Sequence, residues 1–304
     1  MAEHDKHDKD IDEITGTETT QHEWDGIKEL NTPLPKWWLY TFYATCVWAL
    51  GYTILYPAWP MINSATAGIL GYTNRGALNE AMEEHREMQS QYVDRIAEME
   101  LAAIKDDPEL MQFARAGGAA VFRNHCSQCH GAGAAGVQAA GYPNLLDDAW
   151  LWGGTLEEIH HTIAHGIRNE DDPDARYSEM PAFGEDGILS EEEIATVADY
   201  VLAMSGAGGE STEAGAELYE INCSACHGAE GGGMTMMGAP ALNDQVWLYG
   251  GDRETVIHSI HYSRYGVMPP WNEEVRGSPG LTPAEVKQAA LYVHSLGGGV
   301  EADE

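Results

Sequence analysis

Basic residues are scarce in this 304-residue chain: 16 Lys and Arg stand against 49 Asp and Glu, for a formal net charge of −33. A chain of that sign cannot neutralise phosphates, so nucleic-acid binding is excluded. The acidity suits either solubility in a salty medium or docking to a basic partner, and charge alone does not separate the two. Cysteine is scarce as well. Four of the five lie in two five-residue clusters and the fifth, Cys46, sits alone in an apolar run, which leaves none for a disulfide framework. No alternating strand pattern stands out, so the expected fold is all-α.

Residues 1–24, "MAEHDKHDKDIDEITGTETTQHEW", have too few branched apolar side chains to offset ordering entropy and read as a mobile tail, with His4 and His7 solvated. The polar region extends to residue 35. One uncharged run follows, "WWLYTFYATCVWALGYTILY" (37–56). Twenty residues rising about 1.5 Å each match a hydrocarbon core of about 30 Å, and aromatic residues at both ends suit the interfaces. A transmembrane helix over 36–57 is expected; a signal peptide would begin nearer Met1, be shorter and end in small residues. Lys28 and Lys36 precede the run and Arg75 is the next basic residue, which favours a cytoplasmic N-terminus. Cys46 is expected to pack as a small apolar residue. Residues 58–112 read as a helical connector, ending in Asp107 as N-cap and Pro108 at the first helical position.

The rest of the chain repeats itself. An offset of 97 superposes "CSQCH" (126–130) on "CSACH" (223–227) and "YPNLLDDAWLWGG" (142–154) on "APALNDQVWLYGG" (239–251). At an offset of 88, "MPAF" (180–183) meets "MPPW" (268–271), so the first copy carries nine extra residues within "NEDDPDARYSEM". At 92, "LSEEEIATVADYVLAMSG" (189–206) meets "LTPAEVKQAALYVHSLGG" (281–298), each opening with a capping box. Two tandem helical domains are expected, 113–206 and 207–300, joined by "SGAGGEST".

CxxCH is the attachment signature of c-type haem: two thiols add to the vinyl groups and the adjacent histidine becomes an axial ligand of iron. Structural zinc would need two further ligands at matching spacing for each pair, and a thioredoxin-like pair would need a strand–helix context. Cys126, Cys129, Cys223 and Cys226 are therefore expected to carry two covalent haems, with His130 and His227 on the iron. The repeat nominates Met180 and Met268 for the opposite axial positions; a thioether there raises the potential and suits electron transfer. Met204, Met234, Met236 and Met237 lack counterparts and are assigned to packing. His161 and His258 also align but lie mid-helix, where packing is the ordinary role, and His165 is a rival in the first copy alone. Loop-closure entropy favours each methionine serving its own repeat, and an exchange between the equivalent repeats stays open. Pro143 and Pro240 are expected to fix the loop facing the axial histidine, a backbone carbonyl there orienting the ring. Trp150 and Trp247 either cover the haem edge or fill the core.

With these residues in hand, "HEWDGIKELNTPLPKWW" (22–38), "YPAWP" (56–60), "WLWGG" with "WLYGG", and "MPAFG" with "VMPPW" closely resemble the diheme subunit III of cbb3-type cytochrome c oxidases. The resemblance implies two tandem cytochrome c-type domains behind a membrane anchor in the bacterial inner membrane, with the N-terminus cytoplasmic and the haem domains periplasmic. It implies electron relay from a donor cytochrome c through the monohaem subunit to the catalytic subunit, which reduces oxygen and pumps protons while this subunit does neither. Partners so implied are those two subunits, the donor and membrane lipid. Two other classes stay open: a membrane-anchored diheme cytochrome serving a dehydrogenase or acting as a free shuttle, and a diheme peroxidase, which would need one open iron site that two Met-Pro loops argue against.

Overall fold

A computed structural model describes residues 9–301, so His4 and His7 lie outside the described residues. The chain forms two compact units, one ending at Arg86 and one beginning at Glu87.

In the N-terminal unit, β1 (Thr19–Trp24) and β2 (Ile27–Leu30) form an antiparallel hairpin with Trp24 opposite Ile27 and Glu23 opposite Lys28. This corrects the expectation of a mobile tail for residues 9–24. The turn is Asp25–Gly26, with φ of 49° and 85°, the doubly positive pair that a two-residue hairpin loop of matching twist requires. Apolar burial contributes little. Instead Asp10 accepts hydrogen bonds from Thr19 Oγ1 (2.8 Å) and Lys28 Nζ (2.9 Å), fastening the preceding segment to the ribbon.

Helix α1 (Lys36–Leu55) follows, preceded by Pro35, and none of its residues is buried. No helix among the described residues is long and apolar enough to cross a membrane. In α1 the shortfall has a compositional cause: much of its surface is Trp and Tyr, amphipathic rings that favour an interface, instead of Leu, Ile and Val. Helix α2 (Asn74–Glu98) is polar and runs from one unit into the other.

The second unit continues with α3 (Leu101–Asp106) and α4 (Pro108–Val121), whose N-cap Asp107 accepts from the backbone of Glu109 and Leu110. A π turn (Phe122–Cys126) leads into α5 (Ser127–His130), then α6 (Leu156–His165), α7 (Glu191–Ser205), α8 (Glu213–Asn222), α9 (Ser224–His227), α10 (Arg253–Tyr262), α11 (Glu273–Arg276) and α12 (Pro283–His294). The helices α7 and α12 open with the expected capping boxes.

These helices pack in two lobes, and the lobes do not follow the order of the repeats. The terminal helix of the second repeat, α12, crosses α4 and α6 of the first; the terminal helix of the first, α7, crosses α8 and α10 of the second. Glycines at equivalent positions permit both crossings. A Cβ on Gly118 would lie 2.1 Å from the Gln288 carbonyl oxygen, and one on Gly215 2.9 Å from Tyr200 Cβ. One core therefore joins Leu110, Ala114 and Phe122 to Ala290 and Leu291, and the other joins Ile194 and Val197 to Tyr219 and Val256.

The exchange costs little entropy. Residues 206–212, within the stretch expected to separate the domains, join α7 to α8 as a short loop inside one lobe. Closing α4 onto the distant α12 is the longer step, but closure entropy grows only by about 0.6 kcal/mol per doubling of loop length.

Candidate haem sites

Each CxxCH motif follows the first helix of its repeat, where a one-turn helix turns the histidine ring inward. His227 is buried and His130 partly so. His130 Nδ1 donates to the Pro143 carbonyl (3.2 Å) and His227 Nδ1 to that of Pro240 (2.9 Å), the loops singled out by the repeat. Because a carbonyl only accepts, each proton is held on Nδ1 and the lone pair of Nε2 is left for a metal. Burial lowers the pKa of both imidazoles, keeping them neutral as ligation demands. Burial also pushes the Cys126 and Cys223 thiols up to about 11, with the neighbouring cysteine adding to the shift.

Met180 packs in the core that contains Cys223, and Met268 in the core that contains Cys126. A cavity in the second lobe is lined by Cys223, Cys226 and His227 from one repeat and by Met180 and Pro181 from the other. The methionine loops are held by pseudo-symmetric bonds. Phe183 N–H donates to Ile260 O (3.1 Å) and Gly184 N–H to His261 O (3.1 Å) at the end of α10; Trp271 N–H donates to Ile163 O (3.0 Å) and Asn272 N–H to Ala164 O (3.2 Å) at the end of α6. Each Met-Pro loop is thus fastened to the other repeat's middle helix, and the preference for same-repeat pairing is not what the packing follows.

The residue after each middle helix makes that fastening possible. Gly166 has φ 75°, and a Cβ there would meet the Met268 carbonyl oxygen at 2.4 Å; Ser263, its counterpart, has φ 57° and donates through Oγ to the Met180 carbonyl (2.5 Å). Sequence reasoning passed over both positions, although the offset of 97 aligns them.

The rival ligands are engaged elsewhere. His161 Nε2 bonds the Asp174 carbonyl (3.1 Å) and His165 Nδ1 bonds the Asp172 carboxylate (3.0 Å), pinning the nine extra residues of the first repeat against α6. His258 packs on Tyr262, with ring centroids 4.8 Å apart. Met237 lines the second cavity but belongs to the loop carrying Pro240, the histidine's own partner. Trp247 lines that cavity, whereas Trp150 packs against the first core and donates Nε1 to Gly298 O (2.6 Å).

The chain is similar to known proteins over most of its length. The family described as cytochrome c oxidase, cbb3-type, subunit III matches residues 114–201 and 210–293. The N-terminal domain of cytochrome oxidase-cbb3, FixP, matches residues 16–63, which include the hairpin and α1. The cbb3-type cytochrome c oxidase subunit CcoP of Cereibacter sphaeroides is 52% identical over 283 residues, covering 92% of this chain and 95% of that protein. The corresponding subunit FixP of Azorhizobium caulinodans is 46% identical over 299 residues, 97% of this chain and 98% of its own length. CcoP of Azospirillum sp. is 46% identical over 298 residues.

Proposed function

Because the chain belongs to the subunit III family of cbb3-type cytochrome c oxidases and is a diheme electron-transfer subunit, we propose that it relays electrons between a donor cytochrome c and the monohaem subunit, with no oxygen chemistry of its own. The observation that carries this reading is the pair of equivalent CxxCH sites within one compact unit, each packed with a Met-Pro loop.

Covalent haem c supplies a one-electron couple when bound. The remaining work falls to the chain. Cys126 and Cys129 attach one group and Cys223 and Cys226 the other; His130 and His227 offer Nε2, with Nδ1 anchored to proline carbonyls. Met268 serves the Cys126 site and Met180 the Cys223 site, an exchange supported by their packing and by the bonds to Ile163 and Ile260. His130 with Met268, and His227 with Met180, would hold the two groups from both sides, which would leave no open position for oxygen or peroxide and suit the site to one-electron transfer.

The helix α1 is the membrane anchor in this reading. Beyond Lys36 it carries no charge, and Trp37, Val47, Trp48 and Leu50 lie exposed. Its threonines bond to the helix itself: Thr41, Thr45 and Thr53 donate to the carbonyls of Trp37, Phe42 and Leu50 at 2.8–2.9 Å, so no hydroxyl needs water. The N-terminal hairpin then lies in the cytoplasm and the two lobes in the periplasm of a bacterial inner membrane.

Purification in mild detergent, with haem c quantification and oxygen uptake, tests the assignment: two haems c per chain should co-purify with the catalytic and monohaem subunits. Recovery as an isolated chain, under conditions that leave respiratory complexes whole, would count against it. Protease added to spheroplasts should reach the lobes and spare the hairpin.

A further inference from the structure

Trp152 is 6% exposed, and its indole Nε1 is buried with no hydrogen-bond partner. A buried donor left alone costs on the order of 1–3 kcal/mol, so an acceptor is expected there. The ring is flanked by two cations. The guanidinium carbons of Arg168 and Arg176 each lie 5.8 Å from its centroid, and Tyr265 covers Arg168 at 5.4 Å.

These arginines lack counter-ions. Arg168 donates Nε to Ser178 O (2.6 Å) and a terminal nitrogen to Gly266 O (2.9 Å), Arg176 donates Nε to Thr162 Oγ1 (3.1 Å) and a terminal nitrogen to Glu158 O (3.5 Å), and a third arginine, Arg264, stacks 4.3 Å from the Tyr249 ring centroid and donates to Ala139 O (3.3 Å). Among the described residues none of the three makes an ion pair, in a chain with 49 acidic side chains. All three are half-buried, and for Arg168 and Arg176 desolvation lowers the pKa. Partly desolvated cations with only neutral partners call for an anion.

Their place identifies its chemistry. Arg168 and Arg264 line the second haem cavity together with Tyr249. Trp152 stands at Tyr249's position in the first repeat, and the two rings make reciprocal contacts: a Cβ on Gly238 would lie 2.2 Å from Trp152 and one on Gly141 2.4 Å from Tyr249. The unpaired cations therefore gather at the second cavity, and Trp152, stacked against Arg168, holds in the first repeat the place that Tyr249 holds beside that cavity in the second. The only anionic part of a haem c is its pair of propionates.

We propose that this junction is a carboxylate clamp in which Trp152 Nε1 donates to a propionate of the haem on Cys126 and Cys129, while Arg168 and Arg264 pair with propionates of the haem on Cys223 and Cys226. Arg168, stacked on Trp152 while facing the second cavity, also ties the two haem edges together through one cation. The inference rests on covalent haem at both motifs.

The test uses the full-length, haem-loaded protein in detergent and the variants Trp152→Phe, Arg168→Gln and Arg168→Lys. Haem c content and the methionine–iron charge-transfer band are recorded first; their absence from the unsubstituted protein would count against the ligand reading instead of the clamp. Propionate modes in resonance Raman and the midpoint potential of each haem across pH are then measured. Trp152→Phe should shift the propionate mode and lower the potential of the first haem, because losing a donor leaves more negative charge beside ferric iron. Arg168→Gln should do the same to the second haem, with Arg168→Lys restoring most of the change. Unshifted modes and potentials in folded, haem-loaded Trp152→Phe and Arg168→Gln would overturn the clamp and leave these residues a packing role.

Discussion

Leu291, in the last helix of the second repeat, is 1% exposed and packs in the core of the first haem site with Leu110, Ala114 and Phe122. Truncating a buried leucine to alanine costs about 2–5 kcal/mol. At 1.4 kcal/mol per tenfold, Leu291→Ala should accelerate hydrogen exchange of the most protected amides in α4 by roughly thirtyfold to a few thousandfold. Protection in α8, which belongs to the same repeat as Leu291 but to the other lobe, should stay close to that of the parent protein. Ile194→Ala is the mirror experiment: Ile194, also 1% exposed, lies in the first repeat but packs with Tyr219 and Val256, so α8 should loosen and α4 should not. Hydrogen-exchange mass spectrometry resolves the two helices as separate peptides. Loosening of α8 by Leu291→Ala, with α4 unaffected, would refute the exchanged packing and restore two self-contained domains.

Three further outcomes are expected. Replacing Met180 with alanine should abolish the methionine–iron band and lower the potential of the haem on Cys223 alone, and Met268→Ala should act on the haem on Cys126 alone, as read by potentiometry in proteins lacking one attachment motif. Gly118→Val should cost about 1–3 kcal/mol in denaturant unfolding because its side chain meets the Gln288 carbonyl across the α4–α12 crossing, whereas Gly133→Ala, with open space around it, should be close to neutral. Asp107 has its carboxyl pKa lowered by the backbone bond from Leu110, then by Arg95 and the Glu109 backbone. A lowered folded pKa gives stability that is present above the usual carboxyl range near 4 and is lost as pH falls through the folded value, so Asp107→Asn should make the acid limb of the stability profile shallower, read by unfolding at a series of pH values.

The hairpin shows how a local signal is hidden by composition. The Asp25–Gly26 pair between Trp24 and Ile27 fits a tight turn, yet the surrounding residues are polar and the ribbon is held by Asp10 bonding Thr19 and Lys28, contacts that no hydrophobic pattern announces. The proline loops at 143 and 240 were legible because both copies keep the residue at the same distance from the histidine, and distance along a short loop limits what its carbonyl can reach.

By itself the sequence determined the chemistry: attachment by adjacent thiols, the neighbouring imidazole and the helix boundaries are set by contacts within a few residues, and the repeat displayed each of them twice. Which helix closes which core, and which core each Met-Pro loop joins, was decided only in three dimensions. Two copies of one motif offer nearly equal partners, and the weak logarithmic dependence of closure entropy leaves the choice to the glycine-lined helix crossings and to the crossovers at Gly166 and Ser263.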